Sequence, residues 1–254
     1  MITTYHRPQT LDEALKLLNQ PNRTPLGGGT LLASHSWKSD PIEAVDLQAI
    51  GLNFIKKSGN SLEIGATVTL QQLVESEHAP EALKSALKLE APLNLRNAAT
   101  VAGTLVSCDG RSTFASVLLA LDVKLEQTRL DNSNIETRLS NIGEFLPLRD
   151  LQGWLITTLT IPLNVKLAFE YVSRTPADKP IVCAALAQWN SGRTRLVVGG
   201  YGKSPMLAMD GTEAEGLETA ARNACHEATD EWASAEYRMD VAATLSKRCL
   251  ASLS

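Results

Sequence analysis

Three consecutive glycines, Gly27-Gly28-Gly29, follow Pro25 within the segment Leu26-Gly27-Gly28-Gly29-Thr30-Leu31. Such a run removes every β-carbon from a short stretch, so the backbone can take positive φ and aim successive N–H groups at an anion. A loop is therefore fixed at this point of the chain. It is not the G-x-G-x-x-G dinucleotide fingerprint, and no Gly-Lys-Ser/Thr follows to make it a P-loop. Two readings stand on the residues alone: a cradle for a diphosphate, or a turn that simply needs glycine.

The elements around the loop alternate in type. Thr10-Leu11-Asp12-Glu13 has the form of a capping box, and Leu11, Ala14, Leu15 and Leu18 recur at helical spacing until Pro21, which predicts a helix over 10–20. Ala44-Val45-Asp46-Leu47 reads as a short strand, completing a small α/β unit. Ser61 to Gly65 reads as a strand leading to a helix capped by Thr69 and Gln72, and Pro80 suits the first turn of a helix burying Leu83, Ala86 and Leu87. Phe114, Val117, Leu118 and Leu121 mark another helix, and Leu155 to Ile161 a strand that Pro162 closes. Val182–Trp189 and Thr194–Val198 suggest a hairpin, while 213–252 reads as helical with Tyr237, Val241 and Leu245 on one stripe.

Composition narrows the function. Lys plus Arg number 24 against 28 Asp plus Glu, with no basic stripe, which argues against a nucleic-acid binder. No run approaches the ~20 apolar residues of a membrane span, and the opening residues lack the pattern of a secretory signal, so a cytoplasmic protein is expected. Cys108, Cys183, Cys225 and Cys249 lie far apart without C-x-x-C, and His6, His35, His78 and His226 are equally dispersed. Neither set suits a zinc site or an iron–sulfur cluster, so no metal is expected on this chain. With only four each of Phe, Trp and Tyr, the chain is poor in rings for stacking.

A second loop, Leu95-Arg96-Asn97-Ala98-Ala99-Thr100-Val101-Ala102-Gly103-Thr104-Leu105, also uses small residues. Its backbone can approach a ligand, and the hydroxyls of Thr100 and Thr104 can donate to phosphate oxygens. A tight packing turn is the alternative. Ser107-Cys108-Asp109 contains a nucleophile type, but no histidine base lies near it in sequence.

Together these loops resemble a known family almost from end to end. Tyr5-His6-Arg7-Pro8 with Leu11 and Glu13-Ala14, Gly27-Gly28-Gly29-Thr30, Val45-Asp46-Leu47 with Ile50, and Leu62-Glu63-Ile64-Gly65-Ala66-Thr67-Val68-Thr69 occur in the family's order. Leu95 to Gly103, Leu118-Leu119-Ala120-Leu121-Asp122, Val197-Val198-Gly199-Gly200 and Ala233 to Arg238 continue it. The chain resembles the FAD-binding medium subunit of molybdenum hydroxylases, similar to the medium chain of carbon monoxide dehydrogenases and the flavin domain of xanthine dehydrogenases.

The resemblance implies an α+β fold: two small α/β subdomains of the PCMH-type FAD-binding fold, 1–51 and 52–164, then a C-terminal domain, 165–254, with a three-stranded antiparallel sheet and helices. It implies FAD lying between the first two units. Its contacts are expected from Leu26, Gly27, Gly28, Gly29, Thr30 and Leu31, from Thr100, Ala102, Gly103 and Thr104, and from Asp109 and Tyr171. Leu31, Ala102, Thr104 and Thr113 depart from the family's usual residues. Trp154 stands where an acidic residue is common. The implied function is electron transfer, from iron–sulfur clusters through FAD to an external acceptor, with no catalytic acid–base residue here. The implied partners are a large molybdenum–pterin subunit and a small [2Fe–2S] subunit. The departures suggest an alternative, a non-catalytic scaffold or assembly homologue that has lost FAD.

Overall fold

The computed structural model describes residues 2–33, 41–132, 134–149, 151, 153–176 and 178–253. His35 lies outside them. Three sheets follow one another along the chain.

The first unit opens with strand β1 (Ile2–His6) and helix α1 (Leu11–Leu18), then strands β2 (Arg23–Leu26) and β3 (Ile42–Asp46). Thr10 caps α1 by accepting the Glu13 N–H, as expected, but the Glu13 carboxylate accepts from the Gln9 amide rather than from Thr10. All three strands are parallel in the order β1-β3-β2, with β3 central. Pro25 lies in β2, where an edge position spares it a second set of ladder bonds. Ala14, Leu15 and Val45 pack with Leu47, Ala66 and Leu155, so the first core already borrows residues from the second unit.

The second unit carries β4 (Ile55–Ser58), β5 (Ser61–Gly65), α2 (Leu70–Glu75), α3 (Glu81–Glu90), α4 (Leu93–Arg96), α5 (Val101–Ser107) and α6 (Thr113–Ala120). A hairpin of β6 (Lys124–Asp131) and β7 (Asn134–Asn141), helix α7 (Ile142–Leu148) and β8 (Leu155–Pro162) complete it. Its sheet is antiparallel throughout, in the order β4-β5-β8-β6-β7. The capping box at Thr69 and Gln72 forms as expected.

The C-terminal sheet contains four antiparallel strands where three are expected: β9 (Val165–Val172), β10 (Val182–Trp189), β11 (Thr194–Gly199) and β12 (Met206–Gly211), ordered β12-β11-β10-β9. The 182–198 hairpin is its centre. The helical stretch expected over 213–252 resolves into α8 (Leu217–Ala224) and α9 (Ala235–Leu253). Between them Asp230 folds back, its carboxylate accepting from the amides of Trp232 and Ala233 and gripping the buried Arg238 guanidinium through two 2.9 Å contacts.

The alternation of the strands buries this sheet on both sides. Ala185, Ala187 and Val197 join the core that contains Phe114, Val117 and Leu118 of α6. Ala184, Leu186, Leu196 and Val198 face the other way, into a core closed by α8 and α9.

Candidate cofactor site

The glycine loop leaves the carboxyl end of parallel strand β2, a position where open α/β sheets characteristically receive ligands. Its base is tied down: the Leu47 amide donates to the Leu26 carbonyl at 2.9 Å, and the Gln48 carboxamide donates to the Gly27 carbonyl at 2.9 Å. The Ala33 amide closes a turn on the Gly29 carbonyl, also at 2.9 Å.

The three glycines have separate reasons. A β-carbon at Gly28 would fall 1.6 Å from the Ala98 carbonyl oxygen, and one at Gly27 would fall 2.7 Å from the Thr100 hydroxyl. Gly29 takes φ +71, in the left-handed region. Two of the three are therefore required by contact between the two loops, and the third by its backbone angle.

The second loop is a fixed edge. The Leu70 amide donates to the Ala99 carbonyl, the Val101 amide to Val68 and the Ala102 amide to Ala66, at 2.9, 2.9 and 3.3 Å. Thr100 then caps α5 by accepting the Gly103 N–H. Both loops line one cleft of about 400 Å³. Leu26, Gly27, Gly28, Gly29, Thr30 and Leu31 border it on one side and Thr100, Ala102 and Gly103 on the other.

Among the described residues, the N–H groups of Gly28, Gly29 and Thr30 donate no hydrogen bond, and no charged side chain lines the cleft. An anion bound here would be met by backbone dipoles rather than by Lys or Arg. Thr67 also lines the cleft, and its buried hydroxyl has no hydrogen-bond partner. Thr67 stands in the Ile64-Gly65-Ala66-Thr67 stretch already singled out by its pattern, but its burial depends on contacts that sequence alone does not display. Uncommitted amides, an unpaired hydroxyl and a glycine-lined wall fit a phosphate-bearing cofactor.

Three of the expected contact residues lie outside this lining. The Thr104 hydroxyl donates to the Thr100 carbonyl at 2.8 Å. Asp109 accepts the Arg111 amide at 2.9 Å and faces Lys179 at 3.6 Å. Tyr171 sits on β9, half-exposed and stacked on Phe169 at 5.9 Å between ring centroids. Thr113 is fully buried, donating its hydroxyl to the Ala86 carbonyl at 2.7 Å. The Trp154 ring lies beneath two guanidinium groups, Arg129 at 4.6 Å and Arg138 at 4.3 Å.

Cys108 is buried, and burial pushes its thiol up to about 11. Its Sγ donates to the Leu105 carbonyl, so it is a packed side chain rather than a nucleophile. The remaining cysteines are buried as well. Among the described residues no cluster of His, Cys, Asp or Glu could hold a metal ion, and no helix is long and apolar enough to cross a membrane.

Residues 1–164 match the family described as "FAD binding domain in molybdopterin dehydrogenase". The chain is 27% identical to the 6-hydroxypseudooxynicotine dehydrogenase complex subunit alpha of Paenarthrobacter nicotinovorans, over 95% of this chain and 91% of that one. It is 26% identical to the uncharacterized protein YgfM of Escherichia coli (strain K12), over 96% and 94%. Its fold matches a chain of the reconstituted CO dehydrogenase from Oligotropha carboxidovorans with a TM-score of 0.81 at 22% identity, covering 98% of this chain and 96% of that one. It also matches a chain of quinoline 2-oxidoreductase from Pseudomonas putida 86, with a TM-score of 0.78 at 20% identity over 98% and 96%.

Proposed function

Because this chain belongs to the family of FAD binding domains in molybdopterin dehydrogenases, we propose that it is the electron-transferring flavin subunit of a molybdenum hydroxylase complex. Its cofactor is FAD. In this reading electrons arrive from iron–sulfur clusters on a small [2Fe–2S] subunit, after substrate oxidation on a large molybdenum–pterin subunit, and leave to an external acceptor.

FAD accepts and releases electrons singly or in pairs, and so couples one-electron clusters to a two-electron acceptor. The protein's part is to bind, orient and shield it. The amides of Gly28, Gly29 and Thr30, which have no partner among the described residues, would meet the cofactor's negative charge, and the Thr100-capped start of α5 closes the opposite wall. Ala102 and Gly103 admit a ligand against the backbone. Leu26 and Leu31 would set apolar side chains against it. Asp109 and Tyr171, outside the cleft lining, are assigned in this reading to the flavin end of the cofactor, Tyr171 as a neighbour of its ring. The division into 1–51, 52–164 and 165–254, one sheet to each unit, belongs to the same proposal.

One observation carries this reading. Two loops some seventy residues apart meet in direct contact, Gly28 against Ala98, and line one cleft with amides that have no partner among the described residues. A specific observation favours the alternative scaffold reading: the hydroxyls of Thr104 and Thr113 are both spent on carbonyls of the chain itself. An absorption spectrum of the purified chain with and without added FAD separates the two. Flavin bands that stay with the protein support the flavin subunit. Colourless protein that takes up no FAD overturns it in favour of the scaffold.

A further inference from the structure

We propose that Gln48 is a positioning residue for the phosphate-facing amides of the glycine loop, an inference that rests on the FAD reading above. The Gln48 Nε2 donates to the Gly27 carbonyl at 2.9 Å across a separation of 21 residues. That carbonyl belongs to the Gly27–Gly28 peptide, and the described chain contains no cis peptide bond. In a trans peptide the C=O and the following N–H point from opposite edges of one plane. Holding the Gly27 carbonyl toward Gln48 therefore turns the Gly28 N–H to the other side, at the head of the three amides that have no partner among the described residues.

This restraint is needed because glycine supplies none of its own. A three-glycine segment has access to more backbone conformations than any other tripeptide, and an anion site requires one of them. Gly28 is already confined on one side by the Ala98 carbonyl. Gln48 adds a second point of attachment one atom away, on the peptide that the anion must read.

Gln48 is itself anchored. Its backbone N–H donates to the Asp46 Oδ1 at 2.9 Å. Asp46 is 4% exposed at the end of β3, and its other oxygen accepts the Tyr5 hydroxyl and lies 3.6 Å from the Arg7 Nε. The hydrogen bonds thus run from β1 through Asp46 and Gln48 to the glycine loop. The Asp46 and Gln48 backbone sets where the carboxamide starts, and its length takes it to Gly27.

The test compares Gln48→Leu, which keeps bulk but donates nothing, with Gln48→Lys, which restores a donor. FAD is titrated into each purified chain by flavin fluorescence, and the melting temperature is measured without FAD. One hydrogen bond of about 1 kcal/mol corresponds to about a fivefold weaker Kd for Gln48→Leu. The melting temperature without FAD is expected to fall by no more than the few degrees that one lost hydrogen bond costs, and Gln48→Lys to bind FAD within about twofold of the wild type. Wild-type affinity in Gln48→Leu overturns the inference while the FAD reading stands. A fall in FAD affinity that Gln48→Lys leaves unrestored, although its melting temperature matches the wild type, overturns it too, because a donor at this position is then not what sets the amides. A wild-type chain that takes up no FAD overturns the underlying reading and this inference with it.

Discussion

Gly28 and the Ala98 carbonyl oxygen approach so closely that a β-carbon on Gly28 would stand 1.6 Å from that oxygen. The obstacle is backbone, which has no rotamer to yield. Gly28→Ala is therefore expected to force the two loops apart, at about 1–3 kcal/mol or more of overpacking cost. Gly29→Ala is a graded control, since its β-carbon would meet only the Leu26 Cδ1 at 3.4 Å and the cost is the left-handed angle, about 1–2 kcal/mol. Chemical denaturation ranks the two, and FAD titration is expected to fail for Gly28→Ala first. Equal effects at both positions would mean that loop contact is not the constraint.

The unpaired hydroxyl of Thr67 gives an opposite sign. A buried polar group without a partner costs about 1–3 kcal/mol, so Thr67→Val is expected to raise the melting temperature of the FAD-free chain by a few degrees. Calorimetry on both proteins measures it. A lower melting temperature would show that the hydroxyl finds a partner in solution, such as a bound water.

Asp210 is held below the usual carboxylate range by the Arg193 guanidinium, with Arg195 adding to it against the cost of burial. A depressed carboxyl stabilises the fold above its unfolded pKa and loses that contribution as the pH falls through the folded value. Asp210→Asn is therefore expected to lower the melting temperature at pH 6–7, with the gap closing below about pH 4. A gap that persists at low pH would locate the effect in packing rather than charge.

Cys108, Cys183, Cys225 and Cys249 are all pushed up by burial, to about 11, 12, 11 and 12. At neutral pH each stays protonated and enclosed. A disulfide-exchange reagent is expected to modify none in the folded chain at pH 7.5 and all four in denaturant. Rapid modification of Cys108 in the native protein would reopen the nucleophile reading.

Much of this was legible where a residue has a strong local preference. The Thr69 and Gln72 capping box, the hairpin of β10 and β11, and the glycine loop each follow from short-range chemistry. β7 was not legible, because Ile135 and Leu139 on its outer face are exposed and the strand carries no apolar alternation that points inward. β2 was hidden by Pro25, which reads as a breaker until the strand is seen to lie at a sheet edge. The site divides in the same way. Both loops announce themselves by small residues, whereas Thr67 and Gln48 enter only through partners far away in sequence.

The C-terminal sheet has a consequence for how the molecule can be dissected. The match to the FAD-binding family ends at residue 164, yet α6, buried along its whole length, is walled on one side by Ala185, Ala187 and Val197 from beyond that boundary. Severing the chain there would peel the lid from a helix whose eight residues are all inaccessible to solvent. The point where the family match stops is therefore no mechanical seam, and the residues before and behind it are expected to melt as one body, in a single transition.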